Sequence, residues 1–319
     1  MIVRQVLKRA LKGFYRWCVI VRLMFGKEFF VDRYERLGWK FEDVKPRQAI
    51  RLNVINIKKK NFEKRLDAIG VQIEKVSFLE NGYWVRCSRF SVGATVEYLL
   101  GFYSVQGAAA QIPVTLFSDL KGKNVIDACA APGGKTIQLA DLMGNTGLIV
   151  ALDVRKRRLS ALANHLERCH VGNAIVYELD ARKASLLKLK FDGVLLDVPC
   201  SGNFATDRNW FKRRTLKDVE HNARVQREIL TEAAACLSDD GELVYSTCSL
   251  EPEENEFNMD WAVKHLKLRI EEVDCIGQNG LTEVFGRRLD ASVARSKRIW
   301  PDKTQGFFVC KLKRRESKR

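Results

Sequence analysis

"NVIDACAAPGGKT", residues 124–136, decides how the rest of the chain is read. Asn124–Asp127 is a short apolar strand pattern closed by an acid. Small residues and Gly133-Gly134 follow, and a helical pattern opens at Lys135-Thr136. Glycines let a backbone approach a ligand closely, and a helix N-terminus offers unpaired N–H groups. The spacing is neither GxGxxG nor GxxxxGK[ST], which argues against a dinucleotide or a triphosphate as the natural ligand.

Towards the C-terminus the strand–helix alternation continues. Strands are expected at Leu148–Leu152, Ala174–Tyr177, Phe191–Leu196 and Gly241–Ser246, with helices at Arg155–Cys169 and Leu216–Leu237. Such alternation predicts a largely parallel sheet with helices on both faces, and ligands beyond the carboxyl ends of its strands. Asp127, Asp153, Asp180 and Asp197 close four successive strands. Each alone reads as a cap or turn former; together they point to a bound nucleoside with a positive group nearby. Asp153 suits a ribose diol and Asp180 an adenine amino group, and S-adenosylmethionine carries both together with a sulfonium. Arg158 reads equally well as a cofactor contact or a helix-surface charge.

Two further stretches place thiols at strand ends: "DGVLLDVPCSGN" (192–203) with Cys200, and "ELVYSTCSLEPEENE" (242–256) with Cys248. A single strand-end cysteine is as easily an inert buried thiol. A pair on strands expected to be neighbours is much harder to explain that way. Glu253, Glu254 and Glu256 read as first-turn acids favoured by a helix dipole, with Pro252 at the first helical position.

"DACAAPGGKT", "LDVPCSGN" and "YSTCSLEPEENE" resemble the three principal motifs of the NOL1/NOP2/Sun family of RNA cytosine-C5 methyltransferases. "PRQAIRLN" (46–53), "YSVQGAAAQIP" (103–113) and "RIWPDKTQGFFVCKL" (298–312) extend the likeness over roughly residues 45–312. The chain departs from the family pattern at Asp302, where most members carry His after Trp-Pro, and at Asn203-Phe204 after Cys-Ser-Gly. The latter, with "TDRNWFKRRT" behind it, is most similar to the archaeal, tRNA-type branch.

The resemblance implies a Rossmann-like class I methyltransferase domain, α/β and doubly wound, with a mostly parallel seven-stranded sheet and a smaller N-terminal α+β RNA-binding module. It implies S-adenosylmethionine as cofactor, held by Cys129, Ala130, Ala131, Pro132, Gly133, Gly134 and Lys135 with Asp153, Arg158, Asp180 and Asp197. The reaction implied is methyl transfer to carbon 5 of a cytosine in RNA. A thiolate adding to C6 makes the ring an enamine nucleophilic at C5, a covalent route that splits one hard step into easier ones. N3 then gathers charge, which a protonated carboxyl can relieve. By resemblance Cys248 is the nucleophile, Cys200 assists release and Asp197 serves N3. Motif chemistry alone would favour Cys200, since DNA cytosine methyltransferases attack with the cysteine of a Pro-Cys motif. Lys135 orders Asp197 or lowers a nearby thiol's pKa. Transfer RNA is the favoured substrate. The alternatives are ribosomal RNA, or a non-catalytic RNA-binding assembly factor on the same fold.

Charge fits a polyanion partner. The 319 residues carry 55 Lys and Arg against 39 Asp and Glu, a net +16, and residues 1–60 alone hold 16 basic against 5 acidic side chains. The expected organisation is a basic RNA-binding region over 1–105, helical over 1–45 and α+β over 46–105, followed by the methyltransferase domain over 106–319. Trp17, Tyr34, Trp39, Tyr83 and Trp84 are available for base stacking, although most read as core, and "RNWFKRRT" (208–215) reads as a loop flanking the target base. Nine cysteines without a CxxC pair suggest neither a metal site nor a disulfide framework. With no apolar stretch long enough to span a bilayer, a cytoplasmic protein without membrane attachment or obligatory protein partner is expected. The histidines, His165 and His170 included, read as surface positions.

Overall fold

The computed structural model describes residues 25–315. Most of the expected N-terminal helix, and Trp17 with it, lies outside the described residues. What is described of that helix is α1, Lys27–Arg36, which Gly38 ends in the left-handed region at φ 87°. Residues 39–48 have no regular secondary structure, so the helical expectation to residue 45 is too long. Helix α1 packs on the large domain and not on the small sheet. Phe30 and Tyr34 bury against Phe204, Trp210, Leu250 and Trp300, and Phe30 meets Trp210 edge-on at 4.6 Å.

The small module is an antiparallel sheet of β1 (Ala49–Leu52), β2 (Gln72–Lys75), β3 (Gly82–Cys87) and β4 (Tyr103–Val105), in the order β2-β3-β1-β4. Helix α2 (Lys59–Ala68) presses Phe62 and Leu66 onto Ile50, Leu52, Tyr83 and Tyr103. Strand β1 stops at Leu52 because the buried Asn53 amide donates to Gly101 O at 2.9 Å and Cys169 O at 3.0 Å, turning the chain. Arg51, buried, ties the module to the large domain through Asp141, and its Nε donates to Gln106 Oε1 at 3.0 Å.

The large sheet runs through β5 (Asn124–Asp127), β6 (Leu148–Asp153), β7 (Ala174–Glu178), β8 (Phe191–Asp197) and β9 (Leu237–Thr247). These five are parallel to their neighbours in the order β9-β8-β5-β6-β7. The chain then adds β10 (Leu268–Glu271) and β11 (Gln278–Asn279), the separate hairpin of β12 (Glu283–Val284) and β13 (Arg287–Arg288), then β14 (Lys297–Ile299) and β15 (Phe307–Arg314). Strand β15 joins β9 antiparallel, with β14, β11 and β10 beyond it. Nine strands result, where seven were expected, because short β10 and β11 pair through backbone without a long apolar pattern of their own. Helices α3 (Gly134–Leu142), α4 (Lys156–Arg168), α5 (Leu216–Cys236) and α6 (Glu256–His265) cover its faces over separate apolar clusters.

Candidate active site

Strands β8 and β9 lie side by side and parallel, with Asp197 opposite Ser246. The loops that leave them must therefore meet, and Cys200 Sγ lies 3.3 Å from Cys248 Sγ. A hydrogen bond from the Cys200 thiol holds the Cys248 thiol below its usual range, with Lys135 assisting and burial and Asp197 opposing. The same contact, with burial, pushes Cys200 up. The lowering falls on Cys248 and the raising on Cys200, across one sulfur–sulfur contact in which either thiol can donate.

Of the three acids expected in a helix first turn, Glu256 stands there, whereas Glu253 and Glu254 precede the helix. Helix α6 begins only at Glu256, and Glu251, Glu254 and Glu256 are all fully buried. Glu254 reaches across to the Cys200 loop, accepting from Ser201 N at 2.9 Å, Ser201 Oγ at 2.6 Å and Gln226 Nε2 at 3.2 Å. Glu251 accepts from Arg33 Nε at 3.0 Å, while Arg33 Nη2 reaches Glu253 at 2.7 Å. Glu256 accepts from Arg298 Nε at 2.9 Å, and Arg298 Nη1 holds Leu250 O at 2.6 Å. Asn203 bridges the two cysteine loops and the C-terminal strand, donating to Cys248 O at 2.7 Å and Gly306 O at 3.1 Å. Asp302, the other departure, closes a local turn by accepting from Thr304 N at 2.8 Å.

Between the thiols and the glycine loop stands Asp197. Lys135 Nζ donates to its Oδ2 at 2.7 Å and Ser246 Oγ to its Oδ1 at 2.9 Å. Asp127, one strand over, is buried, with Thr136 Oγ1 donating at 2.8 Å. Burial pushes Asp127 up to about 7 against that hydrogen bond. Burial likewise raises the Cys129 thiol, placing it on the inert side of the three central cysteines.

The glycine loop encloses a hollow of about 170 Å³ lined by Cys129, Ala130, Ala131, Pro132, Gly134 and Lys135, with Asp127 and Asp197 at its floor. Gly133 adopts φ 108°, and a Cβ there would come within 2.8 Å of Leu162, so the loop needs glycine. Asp153 sits buried beside it, accepting from Arg155 N at 3.0 Å and paired with Arg158 at 3.1 Å. Arg158 also donates to Ala131 O, so its arm joins the β6 acid to the glycine loop. Asp180 is farther out, caps the following turn and is held by Arg182 at 2.7 Å. Sequence reasoning missed two contributors to the hollow. Gln106, the residue directly after β4, lines it, and so does His165, which is half-buried with Nδ1 2.9 Å from Pro132 O rather than on the surface. Gln106 lies within the quoted stretch 103–113 but had no site role assigned, and His165 belongs to no quoted stretch, so only the fold brings them to the hollow. Buried acids, a small-residue loop and an acid paired to a displaceable arginine fit a nucleoside carrying a sulfonium.

Most of the aromatics weighed as stacking platforms are core, as expected. Tyr34, Tyr83 and Trp84 are buried, and Trp39 stacks on Trp300 at 5.1 Å. Within 208–215, Trp210 is buried and donates from Nε1 to Ser201 O at 2.8 Å. No helix among the described residues is long and apolar enough to cross a membrane.

A family profile described as 16S rRNA methyltransferase RsmB/F matches residues 114–313. The chain belongs to this family. Among RsmB/F relatives and neighbours, it is 34% identical over 276 residues to the 28S rRNA (cytosine-C(5))-methyltransferase of Mus musculus, covering 83% of this chain and 35% of that protein. It is 32% identical over 283 residues to the ribosomal RNA small subunit methyltransferase F of Aeromonas salmonicida, covering 85% and 58%. The chain thus spans between about a third and three-fifths of the length of these curated relatives. A solved methyltransferase homologue from Pyrococcus horikoshii superposes with a TM-score of 0.80 at 32% identity, over 90% of this chain and 95% of that one. The structure of NSun6 from Pyrococcus horikoshii with SFG, an analogue of S-adenosylmethionine, superposes at 0.77 with 24% identity over 93% and 97%, and supports the Rossmann-like fold.

Proposed function

We propose that this RsmB/F-family chain transfers a methyl group from S-adenosylmethionine to carbon 5 of a cytosine in ribosomal RNA. The contact of Cys200 with Cys248 beside the Lys135–Asp197 pair carries the reading. The glycine loop with Asp153, Arg158, Asp180 and Asp197 would hold S-adenosylmethionine, which supplies an electrophilic sulfonium methyl. Cys248 forms the bond to C6, and the Lys135–Asp197 pair protonates N3 as charge collects there. After C5 has taken the methyl group, its hydrogen passes as a proton to water, the S–C6 bond breaks with its electron pair returning to Cys248 as a thiolate, and N3 gives its proton back to the Lys135–Asp197 pair. Cys200, in contact with the attacking sulfur, assists that elimination. To present C5 and C6, the cytosine must leave its stack.

Ribosomal RNA is preferred over transfer RNA on the relatives' names. The tRNA expectation rested on the compact size and on Asn203-Phe204 with the following loop, where Asn203 and Trp210 serve loop packing. The test is incubation of the full chain with labelled S-adenosylmethionine and either rRNA or total tRNA, followed by mass spectrometry of nucleosides. Label in 5-methylcytidine from rRNA is expected for wild type, none for Cys248→Ala, and a protein–RNA adduct for Cys200→Ala. A live Cys248→Ala beside a dead, adduct-free Cys200→Ala would transfer the nucleophile's role to Cys200. Label in tRNA alone would overturn the substrate.

A further inference from the structure

A second hollow lies outside the cofactor and thiol sites. It has a volume of about 840 Å³ and sits on the loop that follows Cys200. Its apolar wall is Phe41, Phe204 and Phe211, with Phe204 and Phe211 stacked at 5.3 Å and 13° and Phe41 5.0 Å from Phe204. Four cations line it from two separate segments: Lys27 and Lys45 from the N-terminal stretch, Arg208 and Lys212 from the Cys200 loop. Lys27 also lies 4.8 Å over the Phe41 ring. A single acid, Asp43, lines it with them.

This composition is unlike an apolar docking groove. Aromatic faces offer stacking to any base, lysine and arginine offer phosphate contacts, and a lone acid can accept from a base amino group. The volume falls in the range that takes a small ligand, roughly 300–1,000 Å³. Its position is fixed relative to the chemistry. Phe204 is the fourth residue after Cys200, and neighbouring Asn203 is bonded to Cys248 O, so the hollow moves with the thiol loops. A cytosine drawn out of its stack leaves its neighbours unpaired as well, and they need a surface.

Resting on the functional reading above, we infer that this hollow binds an unstacked RNA nucleotide flanking the target cytosine, its base against Phe211 and Phe41 and its phosphate among Lys27, Lys45, Arg208 and Lys212. The residues 208–215 thus act through Arg208, Phe211 and Lys212, with Trp210 as the buried anchor.

A binding cycle tests this without requiring turnover. The affinity of the full chain is measured for a single-stranded RNA decamer of nine uridines and one cytosine, and for the same backbone with every base removed. Base stacking predicts that Phe211→Ala weakens the decamer at least about fivefold while leaving the abasic strand within about twofold. Phe211→Tyr retains wild-type binding, and Arg208→Gln with Lys212→Gln weakens both strands alike. Thermal unfolding and S-adenosylmethionine affinity of each variant report on folding. If Phe211→Ala folds and the two strands lose equally, or neither loses, the base pocket is overturned. If Phe211→Ala misfolds, Phe41→Leu takes its place with the same expectation. A positive cycle with no 5-methylcytidine from wild type would sink the proposed reaction and leave the pocket standing. Methylation with a flat cycle would do the reverse.

Discussion

At the ends of β8 and β9, Glu251, Glu254 and Glu256 are fully buried, and two of them meet arginines that are themselves buried, Arg33 and Arg298. At the ends of β6 and β7, Asp153 and Asp180 meet Arg158 and Arg182, whose side chains are 45% and 46% exposed. The first arrangement fixes two thiols in contact and has nowhere to relax. The second holds carboxylates whose partners can swing into water when a ligand arrives. A nucleophile that must meet a ring carbon benefits from rigidity, and a cofactor that must enter and leave benefits from exchangeable partners. One sheet edge therefore carries two electrostatic regimes separated by a single strand, β5.

The sharpest way to break this contrast is Arg298→Met. It strands Glu256 without its guanidinium in a dry site, and removing one member of a buried pair costs about 3–5 kcal/mol. Urea denaturation should show a loss of that size; a loss below 1 kcal/mol would mean that the thiol end is not held by its buried pairs. Next comes Glu254→Gln, which keeps the shape but loses acceptor capacity for Ser201 and Gln226. A loss of about 1–3 kcal/mol is expected, with slower turnover and unchanged cofactor affinity. On the other side of the comparison, Asp153→Asn should weaken S-adenosylmethionine binding about tenfold by calorimetry, which is about 1.4 kcal/mol, while the unfolding midpoint barely moves. Smallest of all, Arg182→Ala should change stability by less than about 1 kcal/mol, because its ion pair is solvent-screened.

Titration sharpens the same contrast. Burial raises Glu251 from 4.5 to about 7, against the neighbouring Arg33. The folded protein then holds that proton more tightly than the unfolded chain does. The resulting stabilisation is fully present below about pH 4.5 and is lost as the pH climbs through about 7. Denaturation midpoints measured across that window should fall with rising pH in wild type and less steeply in Glu251→Gln. Asp180, lowered by its hydrogen bonds from Arg182, has the opposite sign: its contribution is present above its unfolded pKa of 3.8 and is lost on acidification through its depressed folded value.

How much of this could be read from the chain alone varies by element. The strand ends were legible because each is a local event: an apolar run, an acid, then a glycine loop or a thiol. Asn124–Asp127 was expected and found at its full length, and Leu148–Asp153 differed by one residue. The clamps were not legible. Glu251 and Arg33 stand 218 residues apart, and Glu256 and Arg298 stand 42 apart, so a run of glutamates beside a proline looked like a helix start. Helix α1 was grouped with the small module by its basic composition, yet its buried face belongs to the aromatics beside the Cys200 loop. His165 stood in no quoted stretch and Gln106 in one read only as a lead into the large domain, and only the approach of α4 and the segment after β4 to the glycine loop brings them to the hollow.

The sequence by itself determined the alternation, the parallel sheet it implies and the residues that would stand at its strand ends, because hydrophobic period and turn chemistry act within a few residues. Only the tertiary structure decided which acids lose their water, which cations answer them, and that two sulfurs 48 residues apart come within 3.3 Å. Desolvation and charge pairing depend on distance through space, and distance through space is set by the strand order, β8 beside β9, that the whole chain has to fold to produce.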